Sequence, residues 1–305
     1  MKNDKKFTDQ IEGGDFIVTA EYLPKAETEG SAVKAALLSL KEVPSAVTVP
    51  DNSIGVALSS LAASILLLQA GVEPICQVVT RDRNRIALQS DLLGAAALGI
   101  RNMLCLSGYH QTLTDSPESA NVYDLDSTQL INMIQKMREN GELLNGEKIG
   151  GPFPIIAGAV ANPYLKPIEL NIIRLAQKVE AGADFIQTIA VFDVDEFKQW
   201  LDAAREAGIA DKTAILAGVF PLESAEEAES LCSKYTEFQI PASVIERLKS
   251  AGDKQAQKKE GMAICIETIN KIMNMNGLHG IHILSGGKEE SIPEILSASG
   301  LSGKR

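Results

Sequence analysis

One acidic side chain stands out in the run FIVTAEYLPK at residues 16–25. Glu21 closes a β-rich, mostly apolar stretch, and a carboxylate in such company needs a partner or a task. Two chemistries are open to it. In an apolar setting desolvation raises its pKa, making it a proton donor near neutral pH. Alternatively it forms a salt bridge with Arg81, Lys25 or another nearby cation. A second cluster, TRDRNR at 80–85, reads either as a solvated helix start capped by Asp82 or Asn84, or as an anion site built from arginine forks and backbone N–H groups. The three histidines are His110, His279 and His282. His110 lies in a polar stretch and is available to a ligand; His282 sits in an apolar run and reads as a core residue. No HExxH motif or carboxylate–histidine group suggests a metal centre. The four cysteines, Cys76, Cys105, Cys232 and Cys265, are far apart, with no CxxC pair, and read as packing residues.

The elements that position these groups repeat. An amphipathic stretch, a glycine and a short β-rich run recur in LLLQAGVEPICQVVT (66–80), LLGAAALGIRNMLCLSG (92–108), KVEAGADFIQTIAVF (178–192), AAREAGIADKTAILAG (203–218) and MNMNGLHGIHILSG (273–286). Glycine ends a helix in the left-handed conformation and the β-branched run enters a sheet. Strands are expected at 16–22, 45–49, 74–80, 101–106, 154–160, 184–191, 213–217 and 280–285. Helices are expected at 31–43, 55–70, 85–98, 127–140, 167–181, 194–207 and 223–234, with more helix across 242–275 and a last one at 291–298. Eight such alternations predict an α/β fold, a single-domain (β/α)8 TIM barrel over 1–305 with a short polar N-terminal extension. An open doubly wound sheet is the alternative, but no GxGxxG turn follows the first strand. In a barrel, chemistry sits where strands end. Glu21, Thr48, TRDRNR, SGYHQ (107–111) and VANPY (160–164) all fall there, and SGGK (285–288) reads as a phosphate cradle or a plain turn. Residues 107–126 form a long polar loop.

The chain has 305 residues, with 29 basic against 40 acidic side chains and a net charge of −11. That balance argues against nucleic-acid or anionic-membrane surfaces. The start lacks the apolar stretch of a signal peptide, and VALSSLAASILLLQAG (56–71) is too short and too rich in serine to span a bilayer. A cytoplasmic protein is expected.

The run GVEPICQVVTRDRNRIALQSDLLGAAALGIRNMLCLSG (71–108) resembles the methylenetetrahydrofolate reductases, especially the short forms from anaerobic bacteria and archaea. VYDLDSTQLI (122–131), KVEAGADFIQT (178–188), FDVDEF (192–197), GVFPL (218–222) and IPASVIERL (240–248) continue the similarity in order. The resemblance implies a barrel with a flavin at the C-terminal ends of its strands, reducing 5,10-methylenetetrahydrofolate to 5-methyltetrahydrofolate. It implies that Glu21 donates the proton that opens the methylene bridge. It places Thr48, Ser107, Gly108, Tyr123, Asp126 and Lys178 at the flavin, adds Arg81 and Asn171 near its phosphate and ribitol or ribose, and draws in Tyr109 and His110 from the same loop. FAD is the family's usual cofactor, with FMN the alternative. The electron donor is then NAD(P)H or a partner redox subunit, and an oligomer or complex is expected.

Three positions depart from the family pattern. Tyr109 stands where an aspartate is common, Ile189 where a glutamine binds the pterin, and Gln77 where many members have histidine. Gln187, two residues before Ile189 and on the same strand face, is the candidate substitute toward substrate, together with Lys288. Two other functions compete. One is a flavin-carrying or folate-handling subunit with little activity alone; the other is a barrel enzyme that grips a phosphorylated substrate with SGGK.

Overall fold

A computed structural model describes residues 5–235 and 238–302. Eight parallel strands close in sequential order into a barrel. They are β1 (Ile17–Glu21), β2 (Ala46–Val49), β3 (Pro74–Val79), β4 (Asn102–Leu106), β5 (Ile156–Ala161), β6 (Ala183–Ala190), β7 (Ala214–Val219) and β8 (Gly280–Ile283). Closure pairs β1 with β8 from Ile17↔Gly280 to Ala20↔Ile283. Around them run α2 (Ser31–Leu40), α3 (Ser60–Gln69), α4 (Arg85–Ala97), α5 (Ser127–Asn140), α6 (Ile168–Glu180), α7 (Val194–Glu206), α8 (Ala225–Lys234), α9 (Ala242–Ser250), α10 (Lys254–Ile272) and α11 (Ile292–Ala298). The glycines of the repeated αβ step, Gly71, Gly99, Gly182, Gly208 and Gly277, all have positive φ. The step predicted from sequence is therefore the one that builds the barrel.

Strand periodicity sorts side chains between two cores. Val18, Ala20, Val47 and Val49 face outward and pack against helix residues such as Leu67 and Leu88. Ile17, Ala46, Ile75, Leu104, Ile156, Phe185 and Leu216 point inward and fill the lower half of the barrel. Phe185 sits where a Cβ on Gly158 would fall, 2.2 Å from its ring, so only glycine allows that packing.

Two segments differ from expectation. The polar N-terminal extension contains a helix, α1 (Phe7–Gly13), which closes the lower end of the barrel. Phe7 is fully buried and meets Phe185 edge-on at 5.1 Å. Buried Gln10 accepts a hydrogen bond from the Ser45 hydroxyl, whose oxygen accepts from the Val18 N–H. A seven-residue helix is too short to show a clear period in sequence. The second difference is at 55–59, which was expected to be helical. Here Asn52 accepts from the Ala57 N–H and Ser59 caps α3 by accepting from the Ala62 N–H, so the chain stays a loop up to residue 59. That loop reaches the upper rim. Among the described residues, no helix is long and apolar enough to cross a membrane.

Candidate functional site

Glu21 is the last residue of β1, on the inward face with Ile17 and Thr19, at the rim where the strands end. The turn after β8 folds over it. Its Oε1 accepts the Gly286 N–H at 3.1 Å, and the Ser285 hydroxyl approaches at 3.5 Å. Ser285 lies closer to a second carboxylate, donating to Glu289 Oε1 at 3.2 Å, while that same oxygen accepts the Leu23 N–H at 3.0 Å. Gly287 N–H donates back to the Ser285 hydroxyl at 3.1 Å. Burial raises the pKa of Glu21 above the ordinary carboxylate value, and the charge of Glu289 raises it further; the Gly286 and Ser285 hydrogen bonds oppose this. Of the two chemistries open to Glu21, the salt bridge is absent. Arg81 pairs with Asp82, and among the described residues no ion pair reaches Glu21. The structure places at the barrel mouth a carboxyl whose pKa is raised.

Beneath it, a polar layer crosses the barrel interior. The Gln187 amide donates to Thr48 Oγ1 at 2.9 Å and to Thr19 Oγ1 at 3.4 Å, and Thr19 Oγ1 lies 3.0 Å from His282 Nδ1. All four residues are buried, and burial pushes the His282 pKa down to about 3, so its ring is neutral. Thr48, the register partner of Glu21, and Gln187 are thus brought together, joined through Thr19 to His282, which is the satisfied core histidine expected from sequence.

The opposite rim gathers the residues expected at a flavin. Arg81 donates from Nε and Nη2 to the Asp82 carboxylate, from Nη1 to the Tyr109 carbonyl and from Nη2 to the Asn52 carbonyl. Four hydrogen bonds thereby tie the loops after β2, β3 and β4 to one guanidinium. Gly108, with φ of +84°, lies so close that a Cβ would be 3.2 Å from that of Arg81 and 3.3 Å from that of Val79. The Ser107 hydroxyl accepts from the Ser127 N–H, Asp126 caps α5, and the Tyr123 hydroxyl donates to the Gly108 carbonyl. Lys178 is half-buried, donates to the Val160 carbonyl at 2.6 Å and has its pKa lowered by burial, offset in part by Asp126. Asn171 holds the loop after β5 through the Asn162 and Leu165 carbonyls. Asn84, the alternative cap weighed in TRDRNR, does cap α4. His110 is exposed and caps a short turn at Gln111–Leu113.

Two groups lie apart from these. Lys288 points to the start of α8, paired with Glu227 and Glu223 and 5.0 Å above the Phe220 ring. Phe220 begins an aromatic row through Phe238 and Tyr235 to Tyr109, with successive centroids 6.1, 6.2 and 5.7 Å apart. This row links the end of β7 to the loop after β4. The reading from sequence missed Glu289, which lies one residue beyond SGGK, and missed the aromatic segment after α8. A turn ending in KEE offered the only signal for the first.

Could the rim hold a flavin? Thr80 Oγ1, Gln111 Oε1 and Asn121 Oδ1, all in the segments after β3 and β4, are buried without a hydrogen-bond partner. Each is an oxygen left without a donor in the loops near the crowded Gly108 backbone, and the hydroxyls of a ribityl or ribose chain are donors of the kind such atoms accept. The residues present fit the group.

Comparison with known proteins adds the family. A family model described as methylenetetrahydrofolate reductase matches residues 6–300. The "Probable methylenetetrahydrofolate reductase (NADPH)" of Caenorhabditis elegans is 27% identical over 254 residues, covering 83% of this chain and 36% of that protein. The 5,10-methylenetetrahydrofolate reductase of Escherichia coli is 23% identical over 195 residues, covering 63% of this chain and 58% of that one. The chain spans about a third to a half of the length of the first relatives it matches. Among solved structures, an uncharacterized protein from Clostridium thermocellum that binds two copies of 5-methyl-5,6,7,8-tetrahydrofolic acid superposes with a TM-score of 0.68. It is 14% identical and covers 97% of this chain and 99% of that one, a likeness of fold.

Proposed function

The chain belongs to the methylenetetrahydrofolate reductase family, and on that premise we propose that it reduces 5,10-methylenetetrahydrofolate to 5-methyltetrahydrofolate, using a bound flavin. The observation that carries this reading is Glu21, a half-buried carboxyl with a raised pKa at the rim of the barrel, held by the turn after β8. Its proton is the one needed to open the methylene bridge to an iminium cation. Once the proton has left, the carboxylate stabilises that cation in a site of low dielectric. The flavin, when bound, supplies the hydride. Ser107, Gly108, Tyr123 and Asp126 would hold it, with the unpartnered oxygens of Thr80, Gln111 and Asn121 toward its hydroxyls. Thr48 and Gln187 form the polar floor on which the pterin would rest. FAD is the first cofactor to test and FMN the second; NAD(P)H or a partner redox subunit would supply the electrons.

A second reading, a folate-handling chain with little reductase activity alone, also has support. Arg81, Lys178 and Lys288 are already occupied by groups of the protein itself, and the structural neighbour of nearly equal extent is one that binds methyltetrahydrofolate. One experiment separates the two. The purified chain is reconstituted with FAD or FMN and its absorbance spectrum recorded, followed by an assay with methylenetetrahydrofolate and an artificial electron donor. A flavin spectrum with turnover supports the reductase. A colourless protein that still binds methyltetrahydrofolate supports the folate-handling reading.

A further inference from the structure

The turn after β8 carries a buried carboxylate of its own, and its contacts serve Glu21. Glu289 is 7% exposed and joins two strands' ends, accepting the Leu23 N–H after β1 and the Ser285 hydroxyl after β8 on one oxygen. Ser285 has one O–H and two carboxylates within reach, with Glu289 at 3.2 Å and Glu21 at 3.5 Å. The hydroxyl lies nearer Glu289, so Glu21 is met most closely by the Gly286 N–H at 3.1 Å, with Ser285 its weaker donor. A carboxyl that shares its hydroxyl donor with a second carboxylate, and feels that neighbour's charge, is less well stabilised as an anion.

Resting on the reductase reading above, we propose that Glu289 is the positioning residue of this site. It fixes the Ser285–Gly287 turn against Glu21 and draws the serine hydroxyl toward itself, so that Glu21 meets the folate as an acid. The proton delivered to the folate is that of Glu21. Other charged groups on neighbouring elements are engaged elsewhere. Lys288 of the same turn is paired with Glu227 and Glu223, and Arg81 beyond β2 is paired with Asp82. His282 below is neutral, and Tyr22, next along β1, feels Glu27 and Glu289 but keeps its phenol proton because burial raises its pKa. Among these groups it is Glu289 whose charge acts on Glu21.

Glu289→Gln tests the proposal, since it preserves shape and an acceptor for Leu23 while removing the charge. The Glu21 carboxyl is titrated by infrared difference between each protein and its Glu21→Gln counterpart, a measurement that needs no turnover. The expected result is a midpoint lowered by about one pH unit, the scale of losing one nearby charge in a partly buried site. In kinetics the folate step should then fall about tenfold above that midpoint, recover at lower pH and leave KM unchanged. A merely structural residue would lower the rate at every pH. If the midpoint falls but neither protein turns over folate, the reductase reading has failed and the role of Glu289 stands. A midpoint that does not move overturns the proposal. Should the Gln variant not fold, Glu289→Asp, which withdraws the carboxylate from Ser285, is expected to shift the midpoint in the same direction by less; no shift there overturns it equally.

Discussion

The two sides of the barrel rim use polar residues in opposite ways. On the β1–β8 side a carboxyl shares its donors: Glu21 accepts from Gly286 and Ser285, while Glu289 competes for the Ser285 hydroxyl and adds its charge nearby. On the β3–β5 side the cations are supplied in full. Arg81 makes four hydrogen bonds within the protein and Lys178 donates to a backbone carbonyl. The difference teaches where to look for chemistry. A group whose needs are met by the fold acts mainly as scaffold, while one kept partly unsatisfied stores the free energy that a reaction can use.

Substitutions on the two sides should therefore fail differently. Glu21→Gln should cost the folate step about 100-fold or more while leaving flavin reduction by an artificial donor intact; comparable loss in both half-reactions would move Glu21 to the scaffold side. Arg81→Ala should instead cost stability, about 1–2 kcal/mol in urea unfolding, because it leaves two part-buried carbonyls without their donor. Unchanged stability would mean that the guanidinium is free to serve a ligand. Gly108→Ala forces a side chain into a left-handed backbone against Arg81, and should cost about 1–2 kcal/mol by the same assay. Tyr109→Ala removes one ring from the aromatic row and should cost only about 1 kcal/mol, read as a small shift in the thermal midpoint.

Legibility in the sequence followed the same division. All eight strands could be read to within two residues, since five αβ steps carry their own glycine and each strand is a short apolar run. Glu21 could be read as the candidate acid because it is conspicuous within a single strand. Its surroundings could not. Glu289 matters only because closure of the barrel brings β8 beside β1, a contact across more than 260 residues of chain. Thr48 and Gln187 were marked for the flavin and the substrate, yet their hydrogen bond to each other joins β2 to β6 across the barrel interior, which no local pattern encodes. TRDRNR left open a helix cap and an anion site; Asn84 does cap α4, while the Arg81 fork is taken up by Asp82 and the neighbouring loops. SGGK was read one residue too short, and its lysine faces α8.

The central claim is that Glu21 meets the folate as an acid, and the pH dependence of the folate half-reaction tests it most directly. The carboxyl's pKa is raised by burial, so its proton is held above the usual carboxylate range and is lost only as pH climbs through the raised value. The rate in the native protein should accordingly be level at low pH and fall on the alkaline side, with a midpoint above the ordinary carboxylate pKa. In Glu21→Gln that limb should vanish and leave a slow, flat profile. A native rate that rises through the same range, or a Glu21→Gln protein that keeps both the rate and the limb, would contradict the account.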